Sequence, residues 1–287
     1  MEDKYKNRWG ESFDVAEMKR LLAVLEKMPR KPGDPMTDLR SAFLRNILSQ
    51  QQSDLSRIHQ QRTTTEMIGQ NKSIRAILWD NDGVLMDSES LFFDVTRRVF
   101  REHNVKLEPS YWATNFLGRG MRTFEIAEAL GMDPEDAIRA ASHRDILWRQ
   151  RIKDPVPVCP GAVDVLDLLG KTFRMVVVSG APREHFEDVH RSSGLLRFFE
   201  TSITMDECPR VKPAPDAYLM AAAQMGVQPS ECLVIEDSPR GFRAVQAAGM
   251  RCVLVATTLT DLSLCDDADI IVRGLPEILK LSVITRG

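Results

Sequence analysis

Short apolar runs alternate with longer amphipathic segments from about residue 75 to the end of the chain. Polar or turn-forming residues bound each run, which is typical of buried parallel strands. The runs cover residues 77–79, 175–178, 233–235, 253–255 and 270–272. Most are separated by segments of helical length, namely residues 161–169, 184–192, 216–225 and 241–248. This alternation predicts an α/β fold with a doubly wound, mostly parallel sheet.

One interval departs from the alternation. Residues 88–158 have helical periodicity and no convincing strand, and they directly follow the first predicted strand. We therefore predict an all-helical domain inserted at this point. The sheet domain would then comprise residues 74–87 and 159–287.

The first 73 residues have a different pattern. Apolar positions from Val15 at helical spacing predict an amphipathic helix over residues 13–28, and three prolines and a glycine in residues 29–35 predict a linker. Residues 36–72 contain a second helical pattern that fades into a stretch rich in Gln and Thr. The segment shows no catalytic constellation, so we expect residues 1–73 to form a helical or partly disordered extension.

Composition limits the class of protein. The chain has 287 residues, of which 43% are hydrophobic and 28% charged, which suits one sizeable core and a smaller second one. No apolar run is long enough to span a bilayer and the charged amino terminus does not resemble a secretory signal, so we expect a cytoplasmic protein without a membrane partner. Five cysteines without a C-x-x-C pair indicate neither a disulfide framework nor a zinc site. The net charge of −3 gives no indication of nucleic-acid binding, and the oligomeric state is not predicted.

Polar residues cluster where the predicted strands end. Ligands of open α/β sheets bind beyond the carboxyl ends of the strands, so these side chains should converge. They are Asp80, Asn81, Asp82 and Gly83 after the first run, Ser179 and Gly180 after the second, Lys212 in a proline-rich loop, and Glu236, Asp237 and Ser238 after the third. Crowded carboxylates repel one another unless a cation compensates them, and Mg²⁺ is the expected ion. The alternative is that each residue only caps the helix that follows it.

These residue types suit the transfer of a phosphoryl group. A carboxylate at the position of Asp80 can attack phosphorus and form an aspartyl phosphate. Asp82, two residues later, can reach the leaving-group oxygen, donate a proton to it and later take one from water. The groups predicted to bind the phosphoryl oxygens are Ser179, Lys212 and backbone N–H groups near Asn81 and Gly180.

The order of the polar blocks resembles that of the haloacid dehalogenase-like superfamily, in particular its subfamily with a helical cap after the first strand. That subfamily includes phosphoglycolate phosphatase-like and β-phosphoglucomutase-like members. The matching blocks are residues 80–89, 177–180, 212–213 and 235–241.

The resemblance implies a role for each residue of the blocks. Asp80 would be the nucleophile and Asp82 the acid and base. Ser179 and Lys212 would bind phosphate. The implied ligands of magnesium are Asp80, the backbone carbonyl of Asp82, Glu236 and Asp237. Residues 88–158 would form a cap that closes over the substrate and excludes water.

The cap gives less information. The stretch 90–93 lacks the histidine of the β-phosphoglucomutase pattern, and Met121 stands where the cap loop of the family has an arginine. Arg119 or Arg122 could supply a cation for the substrate, and the alternative is that they are solvated arginines at the start of a helix. Arg183 could reach the cap interface. We expect Asp87 and Glu89 to serve in a turn and a helix N-cap, and the five histidines to lie on the surface or on helix faces.

The sequence thus predicts a magnesium-dependent phosphatase of a small phosphorylated metabolite, such as a sugar phosphate or phosphoglycolate. Two alternatives stay open: a phosphomutase of the β-phosphoglucomutase type, and a catalytically inactive module that binds a phosphorylated metabolite or a partner.

Overall fold

A computed structural model of the chain describes residues 4–6, 12–14, 73–268 and 270–285. The chain divides into two compact units, residues 1–69 and 70–287. In the first unit, strands β1 (Lys4–Lys6) and β2 (Ser12–Asp14) pair antiparallel. The helix predicted from residue 13 is therefore wrong at Phe13 and Asp14, which lie before the helical spacing that begins at Val15. The rest of that prediction, the linker and the second helical segment lie outside the described residues.

A six-stranded parallel sheet forms the centre of the second unit. Its strands are β3 (Ala76–Asp80), β4 (Arg174–Val178), β5 (Thr201–Ile203), β6 (Cys232–Glu236), β7 (Arg251–Val255) and β8 (Ile270–Val272). Their order across the sheet is β5-β4-β3-β6-β7-β8, and every pair is parallel. Five of these strands contain the predicted apolar runs. The sixth, β5, was not predicted because two of its three residues are polar and only half-buried at the sheet edge.

The predicted helical insertion follows β3. Its elements are α1 (Ser88–Glu102), α2 (Pro109–Trp112), a π-helical turn (Ala113–Gly118), α3 (Thr123–Ala129) and α4 (Pro134–Arg151). Helix α4 begins at a proline whose preceding residue, Asp133, accepts a hydrogen bond from the backbone N–H of Glu135. These helices enclose an apolar cluster of their own, which includes Phe100, Trp112 and Ile126. We call this domain the cap.

The remaining helices cover the two faces of the sheet. They are α5 (Ala162–Leu169), α6 (Arg183–His190), α7 (Asp216–Gln224) and α8 (Pro239–Ala247), followed by the short α9 (Ser282–Thr285). Short 3₁₀ segments are Leu195–Phe198, Met205–Glu207, Pro229–Glu231, Leu262–Leu264 and Leu275–Lys280. Alternate residues of β3 point to opposite faces: Trp79 packs in the cluster under α5 and α6, and Leu78 in the cluster under α7 and α8. Burial on both faces explains why the strands are continuous apolar runs.

Candidate active site

The central strands bring the predicted residues to one edge of the sheet. Asp80 is the last residue of β3 and pairs with Val178 of β4, so Ser179 follows beside it. Glu236 ends β6 on the other side of β3. Since β3 lies between β4 and β6, the order of the strands places the acidic and hydroxyl side chains around Asp80.

Lys212 joins two of the buried carboxylates. Its Nζ donates to Asp80 Oδ1 at 2.5 Å and to Glu236 Oε1 at 2.7 Å, and its side chain is 9% exposed. Burial opposes the charge of Lys212, but the two carboxylates outweigh this effect and raise its pKa. Burial also works against the charge of Glu236, yet Lys212 overcomes it and lowers the pKa of Glu236. The lysine is therefore a fixed positive charge at the floor of the site.

The pKa values of Asp80 and Asp237 are shifted in the opposite direction to that of Glu236. Burial, followed by the charge of Glu236, raises the pKa of both Asp80 and Asp237 well above the ordinary value. One oxygen of each of Asp80, Glu236 and Asp237 lies within 4.8 Å of the others. A set of buried oxygen donors at this spacing fits a hard divalent cation such as Mg²⁺.

Glu236 differs from the other two members of this set. Its Oε1 accepts from Lys212 and from the hydroxyl of Tyr218, and its Oε2 accepts from the backbone N–H groups of Asp237 and Ser238 and from Ser238 Oγ. With five donors around it, Glu236 orients Lys212 and the loop that enters α8. This environment does not favour the predicted role of a direct metal ligand, whereas Asp80 and Asp237 suit that role.

Two serines hold the side chain of Asp82. Ser88 Oγ donates to Asp82 Oδ1 at 2.5 Å, and Ser179 Oγ donates to Asp82 Oδ2 at 2.9 Å. Ser179, predicted to bind phosphate, is thus a donor to Asp82 in this structure. Ser88 is the first residue of α1 and resembles an ordinary helix start in the sequence, so its contact with Asp82 was not predicted. The acid–base candidate is therefore anchored both to the sheet domain and to the first cap helix.

Asn81 and Gly180 flank the same edge. The carbonyl oxygen of Asn81 accepts from the N–H groups of Leu85 and Met86, at 2.9 and 3.0 Å, and closes the turn that carries Asp82. A methyl group at Gly180 would meet no atom within 4 Å, so its backbone faces open space. Gly180 therefore leaves room for the predicted contact between a backbone N–H group and a phosphoryl group, whereas Asn81 is fully buried.

The three candidate arginines lie in different surroundings. Arg119 is exposed on the cap and donates to Asn115 Oδ1 at 3.2 Å. Arg122 is also exposed and pairs with Glu125 at 2.8 Å, at the start of α3. Arg183 pairs with Glu207 and donates to Ser202 Oγ at 2.6 Å, next to the edge strand β5. Arg122 and Arg183 therefore have carboxylate partners that compete with a substrate, and the position of Arg183 does not support the predicted contact with the cap interface.

Glu89 belongs to the cap side of the site. Its Oε1 accepts from Trp112 Nε1 at 2.9 Å, and burial raises its pKa to about 7. The charges of Arg240 and Arg144 partly oppose this rise. Both arginines have buried N–H groups without a hydrogen-bond partner in the described part of the chain. Asp87 occupies the N-cap position of α1 but its side chain makes no capping hydrogen bond, so the expected capping by Asp87 and Glu89 is wrong. Neither Glu89 nor these two arginines could be recognised from their spacing.

His190 lies on helix α6, one of the two settings predicted for the histidines, and it faces the interior. It is 4% exposed, and its Nε2 lies 2.7 Å from Asn81 Oδ1. Burial lowers the pKa of His190 to about 4. The ring therefore contacts Asn81 from the interior of the sheet domain.

Residues 74–249 match the family of haloacid dehalogenase-like hydrolases. The chain belongs to this family. The predicted family, the α/β fold and the assignment as a hydrolase are thereby confirmed. Among the helices that the structure describes, none is both long and apolar enough to cross a membrane.

Three comparisons illustrate the relationship. The chain is 34% identical over 207 residues to the chloroplastic protein SUPPRESSOR OF QUENCHING 1 of Arabidopsis thaliana, covering 70% of this chain but only 19% of that protein. It is 30% identical over 211 residues to validoxylamine A 7'-phosphate phosphatase of Streptomyces hygroscopicus subsp. limoneus, covering 71% of this chain and 95% of the relative. A conserved haloacid dehalogenase-like protein of Agrobacterium tumefaciens has a similar fold, with a TM-score of 0.65, 23% identity and coverage of 75% and 100%.

Proposed function

We propose that this hydrolase is a magnesium-dependent phosphatase of a small phosphorylated metabolite and that it works through an aspartyl phosphate on Asp80. The arrangement of Asp80 and Asp82 carries the proposal: one carboxylate is paired with a buried lysine, and the other is held by two hydroxyl groups. The name of the Streptomyces relative, a phosphatase of a phosphorylated small molecule, supports it.

In the first step, a carboxylate oxygen of Asp80 attacks phosphorus and the bond between phosphorus and the alcohol oxygen breaks. Asp82 donates its proton to the leaving oxygen, which departs as a neutral alcohol. In the second step, Asp82 takes a proton from a water molecule that attacks the phosphorus of the aspartyl phosphate. The bond between phosphorus and the Asp80 oxygen breaks, and the products are inorganic phosphate and the regenerated carboxylate.

Fixed charges assist both steps. Lys212 lies against Asp80 and balances negative charge that develops on the phosphoryl oxygens. Asp80, Asp237 and the backbone carbonyl of Asp82 would hold the magnesium ion, with Glu236 orienting Lys212 behind them. Bound there, Mg²⁺ supplies charge neutralisation between the carboxylates and the phosphoryl group.

The proposed substrate is a sugar phosphate or a phosphoglycolate-like compound. The mutase alternative finds no support in the cap, because Phe92, in the stretch where the histidine of that pattern was sought, packs edge-on against Trp148 at 5.1 Å. The cytoplasmic location stays a prediction, and one relative is named as a chloroplastic protein.

Phosphate release from a panel of phosphomonoesters, with Mg²⁺ and with EDTA, tests the proposal. We expect release with Mg²⁺, no release with EDTA, and no release from a folded Asp80→Asn variant. Asp164→Asn, an exposed aspartate of α5, is the matched control and should behave as wild type. Isomerised sugar phosphate without release would favour the mutase, and a wild-type protein that binds but converts no substrate would favour the inactive module.

A further inference from the structure

His190 and Asn81 form a buried polar pair behind the catalytic turn. The two residues are 109 positions apart, His190 being the last residue of α6 and Asn81 following β3. Asn81 is fully buried, and the distance of 2.7 Å between His190 Nε2 and Asn81 Oδ1 is that of a hydrogen bond. An apolar pair of the same volume would be about as stable in the interior, but it would not fix a direction. The hydrogen bond therefore fixes the position of the Asn81 side chain relative to His190.

The imidazole ring is held on its other side as well. Its Nδ1 lies 2.8 Å from Ser193 Oγ, and that hydroxyl accepts from the N–H of Leu195 at 3.1 Å. Because the amide oxygen of Asn81 can only accept, Nε2 carries the proton and donates it to Asn81. Nδ1 is then an acceptor beside Ser193 Oγ, whose hydroxyl also lies 3.2 Å from the carbonyl oxygen of His190. Phe186, one turn earlier in α6, packs against the ring at 4.7 Å between centroids. The ring thus has little freedom to move away from Asn81.

Asn81 transmits this constraint to the catalytic turn. It lies between Asp80 and Asp82, and its carbonyl oxygen ties the turn through Leu85 and Met86. The side chain is therefore anchored to α6, while the main chain of the same residue closes the turn. A shift of Asn81 would move the backbone N–H groups and the Asp82 carboxylate together.

We propose that His190 is a positioning residue for the phosphoryl-binding turn. Through Asn81 it holds residues 80–86 so that Asp82 and the adjacent backbone N–H groups face the phosphoryl group. This inference rests on the proposed function, because it assumes that the turn binds a phosphoryl group. His190 itself does not contact the substrate.

Four variants test the inference: His190→Leu, His190→Gln, Asn81→Leu and the double leucine variant. A misplaced reacting group lowers the rate even when binding persists, so His190→Leu should lower kcat roughly tenfold with KM changed by less than about twofold. His190→Gln keeps an N–H donor and should retain more of the wild-type kcat. Both single leucine variants break the same contact, so the double variant should lose no more than roughly tenfold in total.

Hydrogen exchange of the turn amides gives a second measurement that needs no turnover. Exchange at Gly83, Leu85 and Met86 should be faster in His190→Leu than in wild type and close to wild type in His190→Gln, while exchange in α4 is unchanged. If wild type releases no phosphate but the turn amides respond in this way, the proposed function fails, while the structural coupling of His190 to the turn of residues 80–86 stands. A folded His190→Leu protein with wild-type kcat and wild-type exchange, or single effects that multiply in the double variant, would overturn the inference.

Discussion

Gly83 and Asp237 approach so closely that no side chain fits between them. A Cβ atom at Gly83 would lie 3.0 Å from Asp237 Cγ and would overlap Oδ2. Gly83 also has a φ of +88°, in the left-handed region that side chains disfavour. The glycine of the first block therefore leaves the space that the carboxylate of the fourth block occupies, 154 positions later in the chain (237 − 83).

We predict that Gly83→Ala impairs the metal site. The added methyl group must displace the Asp237 carboxylate, so the variant should need a higher Mg²⁺ concentration for half-maximal phosphate release. Gly131→Ala is the matched control, because Gly131 has a φ of +94° but no atom within 4 Å of the added methyl group. Both variants should lose about 1–2 kcal/mol of unfolding free energy, the cost of a left-handed alanine, and the clash adds a further loss in Gly83→Ala. Only Gly83→Ala should lose magnesium response. An equal magnesium response in the two variants would contradict the argument.

Lys212→Met should destabilise the protein and abolish phosphate release. The substitution leaves Asp80 and Glu236 buried without their counter-charge, and breaking a buried ion pair in this way costs about 3–5 kcal/mol. Denaturant unfolding without metal measures the loss. Lys171→Met is the control, because its ion pair with Asp167 is exposed and should contribute less than about 1 kcal/mol. A Lys212→Met protein as stable as wild type would show that the two carboxylates find another way to relieve their charge.

Glu89→Gln should change how stability depends on pH. The pKa of Glu89 is raised to about 7 by burial, so the folded protein keeps the proton of Glu89 at pH values where the unfolded chain has lost it. The contribution of Glu89 is therefore fully present below about pH 4.5, the ordinary range of a glutamate, and is lost as the pH rises to about 7. Glutamine resembles the protonated form and its oxygen can still accept from Trp112.

The variant should thus match wild type near pH 4 and exceed its unfolding free energy by about 2–3 kcal/mol at pH 8. Urea unfolding at several pH values measures the difference, and Glu128→Gln, an exposed residue of the cap, controls for the loss of one charge. Parallel curves for wild type and Glu89→Gln would mean that the arginines Arg144 and Arg240 compensate the charge of Glu89 fully.

The sequence predicted those features that depend on neighbours along the chain. Buried strands are apolar on both faces, so five of the six strands of the large sheet could be predicted from apolar runs in the sequence. The edge strand β5 could not, because Thr201 and Ser202 are polar. The residues at the strand ends were predicted to lie together because parallel strands bring their carboxyl ends to one edge of the sheet.

The sequence could not show contacts between distant positions. His190 and Glu89 are polar residues on amphipathic helices, and only the folded chain reveals that they turn inward to Asn81 and Trp112. The five donors around Glu236 come partly from Lys212 and Tyr218, which no local spacing connects with it. Whether a carboxylate binds the metal or orients neighbouring side chains therefore depends on how the folded chain packs around it.

A contact between the cap and the sheet domain provides the last prediction. Thr114 Oγ1, in the π-helical turn of the cap, donates to Asp261 Oδ2 at 2.6 Å, in the loop after β7. Arg243 of α8 donates to the carbonyl oxygen of Gly118 in the same turn. Leu259 of the same loop packs into the apolar cluster of the cap. These contacts join the cap to the sheet domain.

Thr114→Val removes one of them without changing the volume of the side chain. Asp261 keeps its bonds from the N–H and hydroxyl of Ser263, so the fold should persist and only the closed arrangement of the cap should weaken. One hydrogen bond contributes about 0.5–1.5 kcal/mol, so KM should rise about two- to tenfold in steady-state phosphate release. Thr172→Val, at an exposed position of the sheet domain, controls for the substitution itself. An unchanged KM in Thr114→Val would mean that Arg243 and Leu259 suffice to hold the cap closed, and adding Arg243→Met should then produce the rise.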